Sequence, residues 1–215
     1  MRARHPERID VLSLGQNQGK AEAVRQGLLH ALAGGAGVVG YIDADLATPV
    51  PEIKRLCRLM NEGTADVILA SRVSLLGRRI VRSTARHYLG RIFATLASRI
   101  LRVAVYDTQC GAKLFRCAPA LAAALRDPFR SRWVFDVELL GRLLTGAPDA
   151  PAIEPAALRE EPLDAWRDIP GSKFGLRHMA AALRDLASIE RDLARRRAAR
   201  RAFGARARRQ AQRTF

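Results

Sequence analysis

Val38-Val39-Gly40-Tyr41-Ile42-Asp43-Ala44-Asp45-Leu46-Ala47-Thr48-Pro49 decides how this chain is read. A short apolar run after the Gly34-Gly35 turn signal reads as a buried strand, and two carboxylates one residue apart close it. In an open α/β sheet the ligand crevice lies beyond the carboxyl ends of the strands. Carboxylate oxygens there suit Mg²⁺ or Mn²⁺, whose shell is usually completed by substrate phosphates. Asp43 and Asp45 are therefore candidate metal ligands facing a diphosphate, the alternative being that they cap the next helix.

Outward from this stretch, the punctuation is that of an α/β fold. Ile9 to Leu14 alternates apolar and polar residues and predicts a strand, Gly15 to Gly19 a turn, and Lys20 to Leu32 a helix. A helix is expected from Pro51 to about Asn61, a buried strand at Asp66 to Ala70, and a basic loop over Ser71 to Arg82. Next come a helix from about Ser83 to Val103, with Tyr88, Leu89, Ile92, Phe93, Leu96 and Ile100 on one side, and an extended segment at Thr108 to Phe115. A short helix after Pro119, a longer one over Phe135 to Leu144 and a short strand near Ile153 to Leu158 follow. From Lys173 the pattern is helical until it dissolves into an arginine tail.

Composition narrows the function classes. With 215 residues, 48% of them hydrophobic, the chain is long enough for one domain with a substantial core. Cys57, Cys110 and Cys117 form no CxxC pair, so neither a zinc site nor a disulfide framework is indicated and a reducing compartment is the default. No apolar run of about 18 residues is present, so any membrane contact is expected to be peripheral. Of the formal net charge of +16, residues 191–215 carry +9 with ten Arg and one Asp. Such a tail suits an anionic membrane surface or nucleic acid phosphates, or is simply a solvated helix. Only four of 37 basic residues are lysine, and Lys20, Lys113 and Lys173 fall inside motifs.

Gly15-Gln16-Asn17-Gln18-Gly19-Lys20-Ala21 is not a nucleotide-hydrolysing phosphate loop: three residues rather than four precede Gly19-Lys20, and Ala21 replaces the metal-binding hydroxyl. A glycine turn opening a helix still offers backbone N–H groups to an anion.

Read together, several segments resemble one family. Asn17-Gln18-Gly19-Lys20-Ala21-Glu22-Ala23-Val24-Arg25-Gln26-Gly27 and Asp43 to Pro49 resemble motifs of the family 2 glycosyltransferases that load sugars onto polyprenyl phosphates. Asp107-Thr108-Gln109-Cys110-Gly111-Ala112-Lys113-Leu114-Phe115, Trp133-Val134-Phe135-Asp136-Val137-Glu138-Leu139-Leu140 and Trp166-Arg167-Asp168-Ile169-Pro170-Gly171-Ser172-Lys173 resemble the dolichyl-phosphate β-glucosyltransferase branch.

The resemblance implies a GT-A-like α/β domain over residues 1–175, its mostly parallel sheet covered by helices on both faces, followed by a basic helix and tail over 176–215. It implies an inverting, metal-dependent transfer of a hexose, glucose in this branch, from UDP-glucose or GDP-mannose to a polyprenyl phosphate. The expected location is the cytoplasmic face of a membrane, held peripherally on its anionic surface, with nucleic acid not expected as a partner. Carried over to this sequence, Asp45 would ligate Mg²⁺ or Mn²⁺ and Asp43 would hold metal or ribose. Asn17, Gly19, Lys20 and Lys173 would line the nucleotide sugar, while Arg72, Ser172 and Lys173 would face the acceptor phosphate. Asp107 is the expected group that orients the acceptor or acts as base, with Asp136 as its alternative.

The family's opening Pro-x-x-Asn-Glu strand and Asp-Asp-Gly strand have no counterpart here, so the domain is expected to lack on the order of 60 to 80 N-terminal residues, two βα units. Ala47 and Ala112 also depart from the residues usual in the family. The rival readings are a transferase with a different acceptor, or an inactive module that binds anionic membrane or nucleic acid through its arginine tail.

Overall fold

The computed structural model describes residues 7–81, 84–167 and 176–211. Six helices and six strands are described, in the order α1 (Lys20–Ala33), β1 (Val38–Ile42), α2 (Val50–Glu62), β2 (Val67–Ser71), β3 (Arg79–Val81), α3 (Thr84–Leu101), β4 (Ala112–Arg116), α4 (Pro119–Leu125), α5 (Phe135–Thr145), β5 (Leu158–Pro162), β6 (Ala165–Arg167) and α6 (Leu176–Ala211). The α/β architecture and most boundaries match the sequence patterns.

The main sheet has the order β1-β4-β2-β5, and β3 pairs with β6 in a second, two-stranded sheet. β2 and β5 run parallel, whereas β4 runs antiparallel to both β1 and β2. Three of the four strands therefore share one direction and β4 opposes them. The functional consequence is geometric: the carboxyl ends of β1 and β2 lie at the same edge as the amino end of β4.

β2 is buried along its whole length, and its side chains divide between two cores as strand alternation requires. Val67 and Leu69 join Leu28, Phe115, Leu121 and Leu139 on one face. Ile68 and Ala70 join Leu56, Met60, Leu163 and Trp166 on the other. α2 supplies that second face because Glu52, Leu56 and Met60 recur at helical spacing, with Pro51 in its first turn. Each fully buried leucine contributes roughly 1.5–3 kcal/mol relative to exposure.

Four expectations change. Ile9 to Leu14 is not a strand: it joins no described strand, and Val11 and Leu12 are exposed, so its alternation has no sheet to serve. The strand expected near Ile153 to Leu158 forms at Leu158–Pro162, where Glu160 and Glu161 disguise it. Tyr88 and Ile92 of α3 face outward while Phe93, Ala97 and Leu101 enter the core. The arginine tail does not dissolve at once, since α6 continues through it to Ala211. Along the way Arg197 donates to Ile100 C=O and Arg200 to Thr145 C=O, capping the last turns of α3 and α5. Among the described residues no helix is long and apolar enough to cross a membrane.

Candidate active site

Because β4 is reversed, four polar segments meet at one edge of the sheet. The end of β1 delivers Asp43 and Asp45, the start of α1 delivers Lys20, the end of β2 delivers Arg72, and the segment entering β4 delivers Asp107 to Gly111.

Gly19 is the N-cap of α1 in the left-handed region, φ 89°, and its N–H is bound by the Asn17 side chain at 3.0 Å. This turn points Lys20 Nζ at Asp43 Oδ1, 2.6 Å away. Asp43 is seated from the other side: its N–H donates to Gly111 C=O at 2.7 Å, and a Cβ on residue 111 would fall 2.1 Å from Asp43 Oδ2. Only glycine at 111 lets the carboxylate lie where it does.

Asp45 is placed differently. It is exposed, and its Oδ1 accepts the Ala47 N–H at 2.9 Å. Between them Leu46 adopts φ 59° and is 62% exposed. A non-glycine residue in that region costs roughly 1–3 kcal/mol and persists where surrounding structure imposes it, often beside a ligand site. Among the described residues no group of three or more His, Cys, Asp or Glu assembles. Among the described residues the donors at this point are thus the two carboxylates, which fit a hard divalent ion that takes its remaining oxygens from phosphate and water.

Asp107 and Arg72 form a fork. Arg72 Nε donates to Oδ2 at 2.7 Å, Nη2 to Oδ1 at 2.8 Å, and the Arg72 backbone N–H to Oδ2 at 3.0 Å. The guanidinium also lies over the Trp166 ring, 5.2 Å from its centroid. Burial works against the Arg72 charge, but the Asp107 carboxylate outweighs it and holds the group more firmly protonated than usual. Glu160 fixes the segment from behind, accepting the N–H groups of Tyr106 and Asp107 at 2.7 and 2.6 Å. Beside this fork, Ser71 Oγ, Thr108 Oγ1 and Gln109 Nε2 are buried without a hydrogen-bond partner. Such orphans in a native fold call for an explanation, and a hydroxyl-rich ligand or bound water supplies one.

The second expected base, Asp136, does not face the open edge. It is 5% exposed, accepts the Tyr41 hydroxyl, and pairs with Lys113 Nζ at 2.6 Å. Lys113, fully buried, also donates to Cys110 C=O at 2.6 Å. Its ammonium therefore clips the Asp107–Gly111 segment to the first turn of α5. Burial, then the Asp136 charge, pushes the Tyr41 hydroxyl well above its ordinary value, so it stays a donor. Burial and the Asp107 charge push the Cys110 thiol up to about 12.

Three residues escaped the sequence reading. Glu160 lies on the strand placed too early, and Trp166 was read only as the start of a motif. Arg132, one residue before Trp133, packs its side chain against Gly19, so that a Cβ there would meet Arg132 Cδ at 3.3 Å. Ser172 and Lys173 lie outside the described residues.

The glycosyl transferase family 2 model matches residues 2–122, more than half of the chain. The chain belongs to glycosyl transferase family 2. That family has the GT-A fold, and the match spans Asp43, Asp45, Arg72 and Asp107. Among curated proteins, a dolichyl-phosphate β-glucosyltransferase of Saccharomyces cerevisiae is 31% identical over 182 residues, covering 79% of this chain and 51% of the yeast protein. Its namesake in Drosophila melanogaster is 36% identical over 178 residues, covering 78% and 49%. The Homo sapiens protein of that name is 31% identical over 140 residues, covering 62% and 42%. This family 2 chain spans about half the length of the curated relatives it matches.

Proposed function

We propose that this chain is the catalytic part of a glycosyltransferase that moves a hexose, glucose by its relatives' names, from a nucleoside diphosphate to a polyprenyl phosphate at a membrane surface. The observation that carries the proposal is the convergence at one sheet edge of the Asp43–Asp45 pair and the Arg72–Asp107 fork. The names of the relatives supply the sugar and the dolichyl phosphate acceptor.

In this reading the nucleotide sugar lies along the start of α1, its diphosphate near Lys20, Arg132 and the α1 N–H groups, where the helix dipole favours an anion. Asp43 and Asp45 would hold Mg²⁺ or Mn²⁺ on that diphosphate, and such an ion, when bound, supplies several kcal/mol of stabilisation to the leaving-group charge. Asp43 is then shared between Lys20 and the metal. Arg72, steadied by Asp107 and Trp166, receives the acceptor phosphate. An acceptor phosphate oxygen, already ionised near neutral pH since its second pKa is about 6, attacks the anomeric carbon. The bond from that carbon to the diphosphate oxygen breaks on the opposite face, and the nucleoside diphosphate leaves with the electron pair. No strong base is required, so Asp107 orients the Arg72 guanidinium and the acceptor rather than removing a proton. Asp136 acts as a positioning residue through Lys113. The orphaned hydroxyls of Ser71 and Thr108 and the Gln109 amide are the groups available to hexose hydroxyls.

Transfer of labelled glucose from UDP-glucose to dolichyl phosphate in detergent micelles tests this reading. Arg72→Ala is expected to raise the acceptor KM by 10-fold or more, about 1.4 kcal/mol, while leaving the KM for UDP-glucose unchanged. Binding of the nucleotide sugar without transfer to any polyprenyl phosphate would point to a different acceptor.

A further inference from the structure

The acceptor surface contains a feature that the chemistry above does not use. Between β2 and β3 the chain makes a tight turn at Leu75-Leu76-Gly77-Arg78, closed by the Arg78 N–H on Leu75 C=O at 3.1 Å, with Gly77 at φ 81°. The turn is anchored from below. Arg78 Nη1 donates to Pro162 C=O and to Asp164 Oδ1, each at 2.6 Å, and the Arg79 N–H donates to Asp164 C=O at 2.8 Å. Held on this base, Leu76 is fully exposed and Leu75 is 45% exposed. Two adjacent leucines displayed by a fixed turn, four residues beyond Ser71, are not explained by packing.

Charge says what meets them. From Ser71 to Tyr106 the chain has eight arginines and no acidic residue over 36 positions. Arg79 is exposed beside the turn, and the same acid-free stretch of sequence carries two more exposed apolar side chains, Tyr88 and Ile92 of α3. Apolar tips among cations are the composition of a surface that enters the boundary of an anionic bilayer. By contrast, Arg197 and Arg200 of the C-terminal helix are spent on the carbonyls of Ile100, in the last turn of α3, and Thr145, at the end of α5 opposite to Asp136.

We propose that the Leu75-Leu76 turn is a membrane wedge: it inserts into an anionic lipid surface and places Arg72, three residues before it, at the level of lipid phosphates. The proposal rests on the membrane-acceptor reading and names the surface that would make the contact.

Flotation with vesicles of equal parts phosphatidylcholine and phosphatidylglycerol tests it on the full chain. The double variant Leu75→Ser/Leu76→Ser is expected to lose vesicle affinity by about 10-fold or more, since two leucines leave the apolar phase. Its melting temperature should not move, because neither side chain is buried. In a second variant, Leu76→Trp, the fluorescence should shift to shorter wavelength on adding the vesicles. Unchanged affinity in the double variant, or no spectral shift, overturns the wedge. So does a turn whose serine variant alters only self-association in sedimentation, which would assign the leucines to a second copy of the chain. Transfer to a short, water-soluble prenyl phosphate separates the two claims: retained transfer with vesicle binding that never depended on Leu75 and Leu76 refutes the wedge alone. Absence of transfer together with leucine-dependent vesicle binding refutes the enzyme reading alone.

Discussion

The floor and the rim of the candidate site are built on opposite principles. Beneath the edge, Tyr41, Lys113 and Asp136 form a sealed polar network in which every charge is paired. At the edge, Asp45 stands exposed after a left-handed Leu46, and the Leu75-Leu76 turn projects outward. The difference separates shape from chemistry. Floor residues hold the Asp107–Gly111 segment where it must be, so their loss registers first in stability. Rim residues contribute little to stability and are free to meet ligand.

The strongest way to break that contrast is to cut the floor. Lys113→Met leaves Asp136 buried without its cation, and removing one partner of a buried pair costs about 3–5 kcal/mol. Urea denaturation should show this loss, and the double variant Lys113→Met/Asp136→Asn should recover part of it. A Lys113→Met midpoint equal to that of the parent would mean that the network bears no load. A smaller effect belongs to the junction of floor and rim. Gly111→Ala drives a methyl into the Asp43 carboxylate, and such overpacking costs about 1–3 kcal/mol. Because Asp43 must then move off Lys20, UDP-glucose affinity should fall along with stability. A fall in stability alone would separate Asp43 from ligand binding.

Away from the site the expected effect is smaller still and depends on pH. Burial tends to raise the Asp192 carboxyl, but the Arg196 and Arg130 guanidiniums outweigh it and hold it below its ordinary value. A depressed acid stabilises the fold above the unfolded pKa, and the contribution is lost as pH falls through the folded one. The tie between α6 and the Arg130 segment that leads into α5 should therefore weaken below about pH 4, the ordinary range of Asp. Asp192→Asn should flatten the pH dependence of melting there, and an unaltered acid limb would remove Asp192 from the account.

What the sequence made legible follows the same division. α1, α2 and α5 were readable from the helical spacing of their apolar residues, and Asp43 and Asp45 because a strand end followed by two carboxylates is a local pattern; β1 was readable as a strand but not as the buried one expected, since it lies at the sheet edge and buries only Val39. β5 was displaced because Leu158-Arg159-Glu160-Glu161-Pro162 has no apolar alternation, and its pairing with β2 is a tertiary fact. The reversal of β4, which gathers the site, is equally non-local. The fork between Arg72 and Asp107, 35 residues apart, was present only as two separate candidates. The surroundings of Asp136 are non-local in the same way: an acid at a helix start looks available in the sequence, and its ion pair with Lys113, which arrives from β4, is a tertiary fact.

Whether the Asp43–Asp45 pair is a metal and diphosphate site is decided by calorimetric titration of the chain with UDP-glucose. Such a site gives saturable binding with Mg²⁺ that disappears with EDTA and in Asp45→Ala, while the melting temperature of that variant corresponds to a stability change within about 0.5 kcal/mol, as for an exposed side chain. Equal affinity with EDTA, or in Asp45→Ala, would contradict it.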